Sequence, residues 1–300
     1  METVKSNLDK RQHPHYDYDQ MVASILADPE VAAFIEVEGL SEEEVRRSIS
    51  KFNQFISERQ RFLLGDPNYI AQGYKPILIM NEGYADVSYL ETEELIAQER
   101  AQAIVNRIQL LHLPASFKQV RLTPEFLDTS DARRFVAIEK LLAFSRSYPQ
   151  RKKGYYLYGN FGVGKTYMLA ALAHELSEKH GLATTLLHFP DFVLDVKNAI
   201  SEGRVKEKVD AVKKAPVLVL DDIGAEQMSS WVRDEILQVI LQYRMQEVLP
   251  TFFTSNLNFE DLEAHFASGR NGDETWQAKR LMERVRFLAD ELHVEGKNRR

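Results

Sequence analysis

The chain has 300 residues, with 38 Lys and Arg against 45 Asp and Glu for a formal charge of −7, and it contains no cysteine. The missing thiols exclude a disulfide framework, a thiolate zinc site, an iron–sulfur cluster and a nucleophilic Cys, and 44% hydrophobic with 28% charged residues excludes wholesale disorder. No apolar run nears the roughly eighteen residues of a membrane span, and Met1–Lys10 lacks the apolar centre of a signal peptide, so the expectation is a cytoplasmic protein with no membrane contact.

The charge is uneven, −8 over residues 1–113 and +1 over 114–300, which points to two modules with different partners. A mildly acidic chain is no bulk nucleic-acid binder, so any DNA contact must come from a local patch. In the first module Met21–Ala27 reads as a short helix ending near Asp28-Pro29. Ser41 and Glu44 have capping-box spacing, and Val45, Ile49, Phe52 and Ile56 then recur on one helical face. Pro76–Met80 and Ala85–Tyr89 flank Asn81-Glu82-Gly83-Tyr84 as a hairpin. Glu91 to about Leu111 reads as helix, closed by Pro114. These elements divide the chain into 1–95, a helical linker 96–113, and 114–300.

The second module alternates strand and helix. Tyr155–Tyr158, Thr184–Phe189, Val217–Asp221, Thr251–Thr254 and Leu292–Val294 are the expected strands, with helices from Lys165 to about Lys179, over Asp191–Ile200 and over Val232–Gln246. That order predicts an α/β fold with a parallel sheet flanked by helices. Gly159-Asn160-Phe161-Gly162-Val163-Gly164-Lys165-Thr166 fits the phosphate-loop pattern between a strand and a helix. Its glycines let backbone N–H groups curl around a phosphate, Lys165 supplies charge to the β- and γ-phosphates, and Thr166 offers a hydroxyl to Mg²⁺. Val217–Leu220 is an apolar strand that delivers Asp221, a candidate Mg²⁺ residue, and Asp222, placed to polarise an attacking water. A carboxylate pair suits hydrolysis better than transfer to an acceptor. Thr251–Thr254 runs into Ser255-Asn256, which sets Asn256 beside the acidic strand end, although a strand followed by an Asn turn is common by itself. Arg280 and Arg284 fall on one helical face; such a stripe is ordinarily a solvated face, and in an oligomer it can complete a neighbour's site.

The phosphate loop, Leu220-Asp221-Asp222-Ile223-Gly224, Thr254-Ser255-Asn256 and Glu283-Arg284-Val285 together resemble the AAA+ helicase loaders of the DnaC and DnaI type, with their transposition relative IstB. The acidic first module and the ending Glu295–Arg300 look most like the DnaI branch. The resemblance implies an AAA+ P-loop ATPase with a parallel sheet and no separate lid domain, preceded by a small, mostly helical N-terminal domain. It implies ATP and Mg²⁺ as cofactors, with Lys165, Thr166 and Asp221 as nucleotide and metal residues. It also implies Asp222 as catalytic acid position, Asn256 as sensor 1, Arg284 as a finger acting on a neighbour, and Arg299 or Arg300 as sensor 2. An Asp where most AAA+ proteins carry Glu fits a slow, switch-like ATPase. The implied partners are a replicative hexameric helicase held by the N-terminal domain, single-stranded DNA bound weakly and with ATP, and further copies of the chain. Zinc, which Cys ligands hold in DnaI N-terminal domains, is not expected here; Gly65–Tyr89 must fold without thiolates, through the hairpin and Tyr69, Tyr74, Tyr84 and Tyr89. Three other readings stay open: an IstB-like transposition ATPase, a small-molecule P-loop kinase, and a protein for which ATP is only a structural ligand.

Overall fold

A computed structural model describes residues 18–123, 132–226, 229–269 and 272–298. The chain forms two compact units, residues 1–100 and 101–300.

In the first unit, helices α1 (Tyr18–Leu26), α2 (Pro29–Glu38) and α3 (Glu42–Leu63) precede the hairpin β1 (Tyr74–Asn81) and β2 (Tyr84–Glu91). The capping box forms as its spacing predicts: Ser41 Oγ caps α3 and the Glu44 carboxylate accepts from the Ser41 N–H at 2.8 Å. Ile49, Phe52 and Phe55 of α3 bury against Ile25, Val31 and Ala85, with Val45 and Ile56 at the margin. Asp28 caps α2 and also pairs with Arg59 of α3; that guanidinium holds the Asp28 carboxyl below the usual carboxylate range. Glu82 and Gly83 turn the hairpin at φ +50° and +84°, the left-handed pair of a tight two-residue turn. In the stretch expected to fold without thiolates, the Tyr69 hydroxyl donates to the Tyr74 carbonyl at 3.0 Å and Tyr69 meets the Phe62 ring edge-on. The Tyr89 hydroxyl donates to Glu58.

Helix α4 (Glu93–Asn106) ends before the expected Leu111, and Ile108–Leu111 is strand β3. The 96–113 segment is therefore more than a helical linker. Its end pairs in parallel with Thr184–Leu187, a partner more than seventy residues away that no local pattern reveals.

The second unit continues with α5 (Ala132–Ser147), β4 (Gly154–Tyr158), α6 (Lys165–His180), β5 (Thr184–His188), α7 (Phe189–Asn198), α8 (Val205–Lys213) and β6 (Val217–Asp221). A π-helical turn, Val232–Leu237, leads into α9 (Gln238–Gln246), followed by β7 (Thr251–Ser255) and α10 (Phe259–Ala267). A small antiparallel pair, β8 (Ser268–Gly269) with β9 (Gly272–Asp273), precedes α11 (Thr275–Leu288) and β10 (Ala289–His293). Six of the described strands form one sheet in the order β10-β4-β7-β6-β5-β3, every pair parallel.

The central strands read as unbroken apolar runs because both faces are covered. Leu218, Leu220, Tyr156 and Phe253 enter one core with α7 to α11, while Val217, Val219, Tyr155, Leu157 and Phe252 enter the other with α5 and α6. The period-two alternation of each strand thus feeds two cores at once. The strand order also brings the C-terminal ends of β4, β5, β6 and β7 to one edge, where open α/β sheets hold ligands.

Candidate functional site

The phosphate loop follows β4 and opens α6. Gly162 and Gly164 take φ +77° and +94°, values that a side chain strains, and Gly164 is the N-cap of α6 with no side-chain capping bond. The first turn of α6, where a helix leaves N–H groups without intrahelical partners, is therefore a place suited to an anion. Behind the loop Arg134 of α5 lies 2% exposed and donates from Nη1 to the Val163 carbonyl at 2.9 Å. Its guanidinium also backs Gly164, where a Cβ would lie 3.2 Å from Nη2.

Lys165 is 8% exposed, and its Nζ donates to the carbonyls of Gly159 (2.8 Å) and Asn160 (3.0 Å) and to Asn256 Oδ1 (2.8 Å). Asn256 Nδ2 in turn donates to Asp222 Oδ1 at 3.2 Å. The amide is thereby polarised in one sense, carbonyl to the ammonium and amino group to the carboxylate. Thr166 Oγ1 donates to Asp221 Oδ1 at 2.6 Å and Thr254 Oγ1 donates to the same oxygen at 2.8 Å. Asp221 is 4% exposed; burial raises its carboxyl above the usual range, against the two hydroxyl bonds that lower it. Asp222 stands at φ +58°, a left-handed conformation uncommon outside Gly, Asn and Asp. Its own N–H donates to Thr254 Oγ1 at 2.9 Å, which fixes the carboxylate beside Asn256.

Lys165, Thr166, Asp221, Asp222 and Asn256 therefore converge as the sequence predicts. Within the loop, Asn160 contributes its carbonyl, Val163 is 1% exposed, and Phe161 is 62% exposed. Arg284 does not join them: its Nε donates to Gln242 of α9 at 2.8 Å, and Nη1 donates to the Arg280 carbonyl one turn back. Arg280 itself lies over the Trp276 ring. Arg299 and Arg300 lie outside the described residues.

Thr254, which the sequence marks only as a strand end and as part of Thr254-Ser255-Asn256, holds both aspartates. Two further side chains of the site escape a motif search. Arg134 lies 30 residues before Gly164, on a separate helix. His188 ends β5 directly opposite Asp221 in the parallel register, with Nδ1 2.8 Å from Asp191 Oδ2 and Nε2 4.0 Å from Asp222 Oδ2. For His188 the available signal is its place at the end of a strand adjacent to the acidic one.

The residues fit ATP and Mg²⁺. The loop offers N–H groups and one buried ammonium to phosphates, and Thr166 with Asp221 offers the hard oxygen donors that Mg²⁺ prefers. Residues 81–300 match the family described as IstB-like ATP binding protein, and residues 1–89 match the family described as primosomal protein DnaI N-terminus. The chain is 37% identical over 296 residues to the replicative helicase loader DnaI of Bacillus subtilis, covering 94% of this chain and 93% of that one. It belongs to the DnaI family. A crystal structure of a putative primosome component from Streptococcus pyogenes superposes at TM-score 0.56 with 57% identity, over 66% of this chain and 98% of that chain. A crystal structure of DnaI superposes at 0.55 with 40% identity, over 66% and 99%. The second unit of this DnaI-family chain is accordingly an AAA+ ATP-binding module, and the two family matches overlap over residues 81–89, within the β1–β2 hairpin.

Proposed function

We propose that the chain is an ATP-controlled loader that holds a hexameric replicative helicase through residues 1–95 and delivers it onto single-stranded DNA. The observation that carries this reading is the match to the B. subtilis loader across both units, 94% of the chain. An insertion-sequence ATP-binding protein of Geobacillus stearothermophilus is 28% identical over only 60% of the chain, which supports a shared ATPase unit and disfavours the transposition reading for the whole molecule. The relation of Lys165 to Asp222 through Asn256 disfavours ATP as a purely structural ligand. A loader of the replicative helicase works where the chromosome is replicated, and on that ground we place the protein in the cytoplasm.

The chemistry follows from the chain's own groups. Bound ATP with Mg²⁺ supplies the scissile phosphoanhydride and its counter-charge, held by the loop N–H groups, Lys165, Thr166 and Asp221. Asp222 accepts the proton of the attacking water, and Asn256 orients that carboxylate by donating to its Oδ1. The reach of Asp222 is shorter than that of a glutamate, which supports weak turnover suited to a switch. Because Asn256 also accepts from Lys165, occupancy of the loop and the aim of Asp222 are coupled. Arg284 reaches the γ-phosphate of a neighbouring protomer when copies assemble, and single-stranded DNA binding is weak and rises with ATP.

The decisive experiment mixes the full chain with a purified hexameric helicase and a single-stranded DNA circle, with and without ATP, and measures helicase bound to the circle. Loader-dependent, ATP-dependent retention is the expected result. No complex with the helicase under either condition rejects the reading, and a phosphorylated small-molecule product in stoichiometric yield restores the kinase alternative.

A further inference from the structure

Beyond β10 the chain does not leave the ATPase unit but turns across the phosphate loop. The Val294 N–H donates to the Tyr158 carbonyl at 2.7 Å, extending the β10–β4 pairing by one residue, and Val294 is fully buried. Its carbonyl presses on Gly159, where any Cβ would overlap it. His293 stacks on Tyr158 with centroids 4.7 Å apart and meets Glu295 at 3.3 Å through Nδ1. Four residues further on, the Asn298 amide sits on Gly162: a Cβ there would overlap Oδ1 and Cγ and lie 3.2 Å from Nδ2. Two glycines of the loop, Gly159 and Gly162, are thus covered by one short strap, Val294–Asn298.

The direction of this contact decides what it can do. A loop that wraps an anion turns its N–H groups inward and its side-chain positions outward. Asn298 lies along the side-chain direction of Gly162, so it packs on the outer face of that turn. We infer that the strap is a built part of the nucleotide site, with Asn298 a positioning residue that holds the outer face of the phosphate loop in its anion-binding shape. This rests on the nucleotide reading above and adds to it a residue outside the phosphate-loop and strand-end motifs.

Coupling of this kind is reciprocal. If the strap favours the binding shape of the loop, then filling the loop must also steady the strap. The test measures both directions on the full chain. In the first, ATP and ADP affinities are compared for the wild type, Asn298→Ala and Asn298→Gln by fluorescence of a labelled nucleotide. Asn298→Ala is expected to weaken both nucleotides by a similar factor, about fivefold, because the strap acts on the loop rather than on the γ-phosphate. Asn298→Gln, which keeps the amide, is expected to recover part of the loss, and the melting temperature without nucleotide is expected to stay within about a degree. In the second, hydrogen exchange at residues 294–298 of the wild type is expected to slow when Mg-ATP is added.

Unchanged affinities overturn the inference, as does exchange in the strap that ignores nucleotide. A rise in affinity in Asn298→Ala also overturns it, since the strap would then be a plug. Weakening of ATP alone assigns the contact to γ-phosphate sensing and overturns it as stated. A wild type that binds no nucleotide, with Lys165→Ala indistinguishable from it, instead rejects the ATP reading itself, so the two failures separate.

Discussion

Asn256 Oδ1 accepts from Lys165 Nζ at 2.8 Å while Asn256 Nδ2 donates to Asp222 Oδ1 at 3.2 Å, so one amide links the phosphate loop to the Asp222 carboxylate. Lys165 cannot reach further into the loop without loosening its hold on Asn256, and that loosening reaches Asp222. Asn256→Ala is therefore expected to lower turnover by about tenfold or more while changing ATP affinity less than threefold. Asn256→Asp should be worse in turnover, because a second carboxylate beside Asp222 cannot donate. A steady-state series with separate nucleotide titrations checks this; equal losses in affinity and turnover would place Asn256 in binding alone.

The two residues that it joins should separate cleanly. Lys165→Ala is expected to weaken ATP by at least two orders of magnitude, on the order of 3 kcal/mol, without lowering the stability of the first unit. Asp222→Asn keeps the size and one acceptor but cannot take a proton, so it should bind ATP within about threefold of wild type and lose turnover by about a hundredfold. An Asp222→Asn protein that cannot bind ATP would make the residue a metal ligand instead.

These residues were legible because their spacing is local. Gly159 to Thr166 is one uninterrupted pattern, and Asp221 and Asn256 stand where apolar strands run out, a place that period and composition mark by themselves. What stayed hidden is set by pairing across distance. Ile108–Leu111 carries too few residues to declare a strand until β5 lies beside it. Arg134 bears on Val163 only through the docking of α5, and His188 gains meaning only from being opposite Asp221. Asn298 is the extreme case, a polar residue in a basic tail whose role depends on where β10 ends.

Arg244 of α9 is fully buried and has no carboxylate partner among the described residues. It donates to the carbonyls of Lys213 (3.0 Å), Ala215 (2.7 Å) and Pro250 (2.7 Å) and to Thr251 Oγ1 (2.8 Å). It thus ties the approach to β6 to the approach to β7, the two strands that present Asp221 and Asn256. Burial pushes the guanidinium down to about 9, still protonated at neutral pH. Arg244→Met fills similar space but strands buried carbonyls. It is expected to cost roughly 3 kcal/mol and several degrees in Tm, read by calorimetry of the full chain. A loss below about 0.5 kcal/mol would mean that water replaces the guanidinium.

Glu226 follows the acidic strand and should shape the pH dependence of stability. Oε2 accepts from the Gly224 N–H at 2.9 Å, Oε1 has no hydrogen-bond partner among the described residues, and burial pushes the carboxyl up to about 7. In the unfolded chain the group ionises near 4.5, so between about pH 4.5 and 7 the native state binds more protons than the unfolded one. Stability must then fall as pH rises through that window and level off above 7. Glu226→Gln keeps the acceptor for Gly224 and cannot ionise. It is expected to remove that slope and to raise stability at pH 8 by about 2 kcal/mol relative to its effect at pH 5, measured by denaturant titration at both values. Parallel pH profiles for the two proteins would show that Glu226 is already ionised in the native state.

Arg284 presents the sharpest test of assembly. In the single chain its guanidinium rests on Gln242 and the Arg280 carbonyl, and burial with the nearby Arg280 lowers its pKa from the usual arginine value. None of its hydrogen bonds reaches the phosphate loop or the paired aspartates. Arg284→Ala should therefore leave ATP affinity of the isolated chain within about twofold, while ATPase and ATP-stimulated DNA binding fall under conditions in which copies assemble. Gln242→Ala frees Nε from its acceptor and should produce a milder form of the same loss. Mixing Arg284→Ala with Asp222→Asn supplies some junctions that pair an intact Asp222 with an intact Arg284 from the next protomer, so part of the activity should return. The recovery should follow the mixing ratio and vanish on dilution below the assembly concentration. Absence of recovery where the wild type assembles and turns over would confine Arg284 to its own subunit.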